Sequence, residues 1–269
     1  MTATLRAGVA LTAIILALVL LSFVWLPYPP QAMDIPHRLA APSLTHLFGT
    51  DGFGRDVLAN VLAGGRASLA VGALAVLLGA GLGVPLGIFA AIAGGWADEL
   101  LSRASDLVFA FPALLIAVLA ASVAGPGVGD AIAAIGIFNI PVFARVARAA
   151  AGVQWQRDYV LAAIAAGKGR FFIARAHILP NILPGLGVQA AIQASLAILA
   201  ESGLSYVGLG VQPPYPSWGR MLDDAGTLIT TAPWLAVFPG MAIMLTSFAL
   251  ALLGDGLRDL ADPRREQQP

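Results

Sequence analysis

Residues 67–97 read ASLAVGALAVLLGAGLGVPLGIFAAIAGGWA, and no charge falls between Arg66 and Asp98. A helix needs about 20 apolar residues to cross a hydrocarbon core of about 30 Å, so this stretch alone can span a bilayer. Within it Gly79, Gly83 and Gly87 recur at four-residue intervals, on one face of a helix. Small residues so placed let two helix backbones approach closely, either inside one chain or across a dimer. Pro85 lies in the same stretch and predicts a kink.

Reading outward from this run, charge-poor stretches at 8–26, 107–129, 131–144, 182–200 and 232–254 bring the expected number of spans to six. Composition agrees. The 269 residues are 58% hydrophobic and 11% charged, whereas a soluble domain carries about 25% charged residues. The first run has a longer apolar core than the usual 7–15 or so residues of a signal peptide, and no small-x-small cleavage site follows it, so it reads as a retained helix. The short fourth run ends at Arg145 and Arg148, whose side chains can snorkel to the interface.

Cationic side chains set the orientation. With the N-terminus inside, Arg6, Arg103, Arg145, Arg148, Arg157, Lys168, Arg170, Arg175, Arg258, Arg264 and Arg265 fall on the cytoplasmic side. Only Arg38, Arg55, Arg66 and Arg220 fall outside. The expected fold is therefore an all-α membrane protein of about six transmembrane helices with both termini cytoplasmic. Residues 1–66 form the first helix and an outer segment, and residues 67–269 form the core, with a cytoplasmic loop at 150–184.

Several chemistries are excluded or unsupported. Formal net charge is zero, which argues against nucleic acid. The chain has no Cys, and its three histidines, His37, His46 and His177, share no metal-site spacing. Gly167-Lys168-Gly169 lacks the upstream glycine and the hydroxyl residue of a phosphate-cradling loop, so the chain is not expected to bind ATP or any other cofactor itself. No hydrolase or metalloprotease motif is present. Asp106 and Glu201 are the ionisable residues nearest the interior of a span. Asp106 is expected at a helix N-terminus, where a negative charge is favoured. Glu201 is expected at an outer end, lining a pore or facing headgroups.

The loop carries the most information. Tyr159, Ala162, Ala163 and Ala166 share one helical face built of small residues. A second short helix, 171–179, is expected after the Gly167 break and before Pro180, making a helix-turn-helix at the inner membrane surface. Such an alanine ridge suits a narrow groove on a soluble partner; a surface helix pair without a partner is the alternative.

Tyr159-Val160-Leu161-Ala162-Ala163, Gly167 and Ile178-Leu179-Pro180-Asn181 resemble the cytoplasmic loop of ABC importer permeases. The resemblance extends to dipeptide, oligopeptide and nickel permeases through His46 to Asp51, Gly54-Arg55-Asp56, Ala110-Phe111-Pro112, Leu204 to Pro214, Ser217-Trp218-Gly219 and Leu253 to Asp259. It implies a type I ABC importer permease, the second of a pair. Its partners would be a homologous permease, two ATPase subunits holding ATP and Mg, an external solute-binding protein and the bilayer. The loop residues Tyr159, Leu161, Ala162, Ala163, Gly167 and Pro180 would couple to the ATPase, although the family's usual glutamate is replaced by Leu161. Glu201, Gln212, Pro213 and Trp218 would form the outer mouth or gate, with Trp218 suited to an interface position. The outer segment Asp51, Arg55, Asp56 would lie near the solute-binding protein, Thr50-Asp51-Gly52 reading as a turn or cap. The implied cargo is a dipeptide or oligopeptide, with nickel or a metal chelate as the alternative. An ion-coupled carrier or channel, dependent on Glu201 or Asp106, is the rival from another class.

Overall fold

The computed structural model describes residues 3–112, 115–116, 118–119 and 125–261. Its elements are α1 (Ala3–Ser22), α2 (Val57–Ala93), α3 (Gly95–Phe109), α4 (Val128–Trp155), α5 (Asp158–Ala165), α6 (Arg170–Tyr206), α7 (Trp218–Ala225) and α8 (Trp234–Ala261). Among the described residues there is no strand, only a single antiparallel bridge between Thr50 and Asp56. Five helices, α1, α2, α4, α6 and α8, are long and apolar enough to cross a membrane. Within the expected span at 107–129, residues 113–114, 117 and 120–124 lie outside those described.

The paired α2 and α4 form the centre. They run parallel, so the glycine at 79 meets Asn139, that at 83 meets Ile140 and Phe143, and that at 87 meets Ala144 and Arg148. A Cβ on any of the three would overlap the facing helix. The glycine seam is thus internal to the chain and not a dimer contact. The opposite face of α2 presents Leu74, Leu77, Leu82, Leu86 and Phe89, all exposed, as a helix in lipid must. Pro85 sits on that exposed face and the helix continues through it to Ala93. There its missing N–H costs no contact with α4.

Antiparallel to this pair runs α6, held to α4 by Gln193 Nε2 donating to Asn139 Oδ1 at 2.6 Å, both residues buried. Packed on α6, α8 is joined to it where Ser195 Oγ donates to the Ser247 carbonyl at 2.9 Å. In turn α1 lies against α8, with Gly8 on Leu253 and Gly256 on Leu5. The start of α1 and the end of α8 therefore lie at one end of the bundle, the end that also carries α5 and the start of α6.

Element boundaries differ from the charge-based expectation in four places. First, α2 begins at Val57, about two and a half helical turns before Arg66, because Asp56 caps it by accepting from Ala59 N at 2.8 Å. Second, α4 runs past Arg145 and Arg148 to Trp155; the two arginines pair with Asp106 and Asp98 of α3 and do not end the helix. Third, Asp106 occupies the last turn of α3, not a helix start, since Gly94 and Gly95, at φ +62° and +52°, begin that helix earlier. Its charge, unfavourable at a helix C-terminus, is offset by Arg145 Nη2 at 2.9 Å.

Fourth, Pro180 does not stop a short helix. The helix from Arg170 continues through it because Ala174–Ile178 widen into a π-turn, with Leu179 N donating to the Ala174 carbonyl. A π-turn relieves the clash of a proline ring with the preceding carbonyl. Asn181 Nδ2 also donates to the His177 carbonyl at 2.6 Å.

Candidate functional site

Two surfaces, at opposite ends of the bundle, collect the sequence-predicted residues. The first is built on α5. Val160, fully buried against Ile173 and Ile178 of α6 and Ala147 and Ala151 of α4, anchors it. Ala163 is half-buried against the same cluster, so the anchor row is Val160 and Ala163. Turned outward are Tyr159, Leu161, Ala162 and Ile164, joined by Phe171 and Phe172 from the start of α6. Phe171 is 81% exposed. These side chains form an exposed apolar surface at that end of the bundle.

Gly167 closes α5. Its N–H donates to the Ile164 carbonyl at 2.9 Å while Lys168 N donates to the Ala163 carbonyl at 3.1 Å, with Gly167 at φ +75°. This is a Schellman cap, which needs a residue in the left-handed region. A Cβ there would meet nothing within 4 Å, so the constraint is conformational and not steric. Gly167→Asn should keep the cap, and Gly167→Val should fray it, because a β-branched residue is strained at positive φ by about 1–2 kcal/mol. Amide exchange of residues 164–168 checks this: faster exchange is expected for the valine variant alone.

The second surface is a cleft of about 490 Å³ at the other end. Asp51 and Arg55 line one wall; Pro213, Tyr215, Arg220 and Asp224 line the other. Asp51 shapes its loop as an Asx turn: Oδ1 accepts from Phe53 N at 2.8 Å and Arg55 N at 2.9 Å, and Oδ2 accepts from Arg55 Nε at 2.6 Å. Asp51 makes the turn, and Asp56 supplies the helix cap. The other oxygen of Asp56 bonds His46 Nδ1 at 2.9 Å. Arg55 Nη2 lies 4.0 Å and Arg220 Nε 3.5 Å from Asp224. Burial pushes the Asp224 carboxyl up, and Arg220 and then Arg55 pull it back.

Beneath the cleft lies Glu201, fully buried, neither lining a pore nor facing headgroups. Its Oε1 accepts from Ser205 Oγ at 2.7 Å, and the hydroxyls of Ser68, Ser217 and Ser202 also surround the carboxyl. Each of three serines accepts a main-chain N–H: Ser205 from Val211 at 3.1 Å, Ser68 from Trp218 at 3.2 Å and Ser217 from Arg220 at 3.2 Å. Their own protons are left free to point at Glu201. The carboxyl thereby lies where α2, α6 and the start of α7 meet.

Trp218 is likewise buried, 2% exposed, with Nε1 donating to the Val61 carbonyl at 2.8 Å. It is not at the membrane interface, because its indole N–H finds a partner inside the protein. Gln212 is half-buried and closes its own turn, Nε2 donating to the carbonyls of Gly208 and Gly210 at 2.9 and 3.0 Å. The structure thus joins Asp51, Arg55 and Pro213 in one cleft and places Glu201 and Trp218 under it. Sequence reasoning missed the serines and Asp224. Ser217 at a helix start before Trp218 was the one local signal.

A family described as "binding-protein-dependent transport system inner membrane component" matches residues 83–267. The chain is 42% identical over 228 residues to the dipeptide transport system permease protein DppC of Alkalihalophilus pseudofirmus, covering 85% of this chain and 75% of that one. It is 38% identical over 266 residues to the glutathione transport system permease protein GsiD of Pectobacterium atrosepticum (97% and 88% covered). Against GsiD of Escherichia coli the identity is 41% over 257 residues, with 95% and 85% covered. Together with five apolar helices of spanning length, these matches show that the chain belongs to the binding-protein-dependent transport system inner membrane components and is a multi-pass permease of the bacterial inner membrane.

Proposed function

We propose that this chain is one permease of a heterodimeric, ATP-driven importer and carries dipeptides or oligopeptides handed over by an external solute-binding protein. The observation that carries this reading is the exposed apolar surface of Tyr159, Leu161, Ala162, Ile164 and Phe171. It is pinned to the bundle by Val160 and lies at the end shared by the start of α1 and the end of α8. The cationic residues favour the cytoplasm for that end. Two ATPase subunits, holding ATP and Mg, act there; this chain lacks the loop that cradles phosphate. With Leu161 in the family's glutamate position, docking rests on shape and apolar area.

The mechanism is alternating access. Closure of the ATPases pushes on α5, and Val160 passes the push to α4 and α6. Residues 1–66 form the first helix and outer segment, residues 67–269 the moving core with its loop at 150–184, and the cleft is the outer mouth. Peptide cargo is favoured over nickel because the similar permeases are named for a dipeptide and for glutathione. An ion-coupled carrier is disfavoured by the positions of its two candidate groups: Asp106 is paired with Arg145, and Glu201 is sealed among serines.

The absence of native cysteine makes the test direct. Ala162→Cys, exposed where Ala163 is half-buried, should crosslink to a cysteine on the ATPase, with a yield that changes on ATP binding. Full uptake of labelled dipeptide with no crosslink at any loop position would refute the coupling surface. Uptake of nickel in place of dipeptide would refute the cargo.

A further inference from the structure

We infer that the cleft between the outer segment and α7 is itself a binding site for a short zwitterionic peptide. The peptide carboxylate sits at Arg55 and Arg220, and its ammonium sits at Asp224. The inference rests on the peptide-importer reading and adds to it a docking place for cargo on this chain, separate from the solute-binding protein.

Size comes first. At about 490 Å³ the cavity lies within the roughly 300–1,000 Å³ typical of small-molecule sites. Its apolar walls are Met33, Phe53, Pro213, Tyr215 and Met221. Methionine, proline and open aromatic faces make a surface that accommodates varied side chains. A carrier of peptides needs that tolerance, since only the backbone and the two termini are common to its cargo.

Charge placement is the second argument. Asp51 and Arg55 Nε form a tight pair at 2.6 Å, which occupies Nε and leaves the Nη side of the Arg55 guanidinium for a ligand. The other groups are different. Asp224 stands 3.5 Å from Arg220 Nε and 4.0 Å from Arg55 Nη2, and Arg220 Nη1 stands 3.9 Å from Asp223. These are ionic separations beyond the 2.7–3.2 Å or so of a good N–H···O bond. Each group therefore feels its neighbour's charge while keeping bonding capacity. Burial disfavours the ionised Asp224, so a cation brought into the cleft gains there. A guanidinium is suited to a carboxylate because it can bind both oxygens at once. One ligand that supplies a carboxylate to the arginines and an ammonium to Asp224 satisfies both demands without adding net charge to the cleft.

The site can be read without the solute-binding protein. Tyr215→Cys would be the only cysteine of this chain; it lines the cleft and is exposed. In the assembled importer in nanodiscs, maleimide labelling of this chain is followed by mass spectrometry. Dialanine at ten times its dissociation constant should slow labelling roughly tenfold. N-acetyl-dialanine amide, which has neither charge, should not slow it. Asp224→Asn and Arg220→Gln should each abolish protection. Leu44→Cys, outside the cleft and 98% exposed, should label at one rate throughout. If the Tyr215 variant fails to assemble, Met33→Cys on the facing wall reads the same event.

No protection at saturating dialanine, or equal protection by the uncharged analogue, overturns the site. Uptake measured on the same preparation, with the solute-binding protein and ATP restored, separates the two ideas. Uptake without protection removes the cleft site and leaves the importer reading standing. If dipeptide uptake itself is absent, the importer reading falls, and any protection seen is then that of a peptide-binding membrane protein of another kind.

Discussion

Gly83→Val should leave almost no folded protein in the membrane. An added Cβ at Gly83 falls on the Ile140 carbonyl and on Phe143 and Ala144 of α4. These neighbours are largely main chain, which cannot rotate aside as the end of a flexible side chain can. Overpacking a core typically costs about 1–3 kcal/mol, and here the expected cost is at or above the upper end. Gly79 and Gly87, one turn away on either side, meet α4 equally closely, so the two helices cannot separate locally without losing the whole seam. Packing of this kind is the main attraction between helices in lipid, where burial of apolar surface no longer drives association. The measurement is the yield of monodisperse permease after detergent extraction. Gly81→Val is the control: same helix, same residue change, nothing within 4 Å of the added Cβ. It should give wild-type yield. Comparable yields for the two variants would show that the α2–α4 seam does not limit stability.

Spans were legible because lipid forbids charge over long stretches, and that rule is local in sequence. Their ends were not, because what ends a helix is often a partner elsewhere. Arg145 and Arg148 look like the edge of a span until Asp106 and Asp98 are placed beside them by α3. Pro180 looks like a stop unless the turn before it is wider than α, and nothing in the composition of 174–178 announces a π-turn. The three glycines were visible as a seam, but which helix they faced depended on the parallel pairing of α2 with α4, far apart in sequence. In the loop, the motif did not tell the two alanines apart: Ala163 packs in a row with Val160, and Ala162 is exposed. Trp218 was misplaced at the interface for the same non-local reason. The carbonyl that satisfies its indole belongs to Val61, at the start of another helix.

Glu201→Ala should detach α7 from the bundle and abolish uptake. The carboxyl accepts from Ser205 of α6 and lies among the hydroxyls of Ser202 of α6, Ser68 of α2 and Ser217 at the start of α7. Alanine removes the acceptor and leaves several buried hydroxyls facing a void. A buried polar group without a partner costs about 1–3 kcal/mol, so a loss of roughly 3 kcal/mol is a conservative expectation for the cluster. In a chain of this size that lowers the melting temperature by roughly 6–12 °C. Glu201→Gln keeps the volume and one acceptor oxygen, and replaces the other with an amide NH2 that donates towards hydroxyls already donating inward. It should fall between wild type and alanine in both melting temperature and uptake. The order matters more than either value. A site that needed only its space filled would tolerate glutamine fully, and one that used Glu201 for ion coupling would lose transport in both variants without losing stability. Melting temperature and uptake should instead fall together, alanine below glutamine, because the carboxyl acts by holding Ser217 and Trp218, and with them the wall of the cleft, against α2. An alanine variant that melts and transports like wild type would show that α7 is held by Trp218 alone.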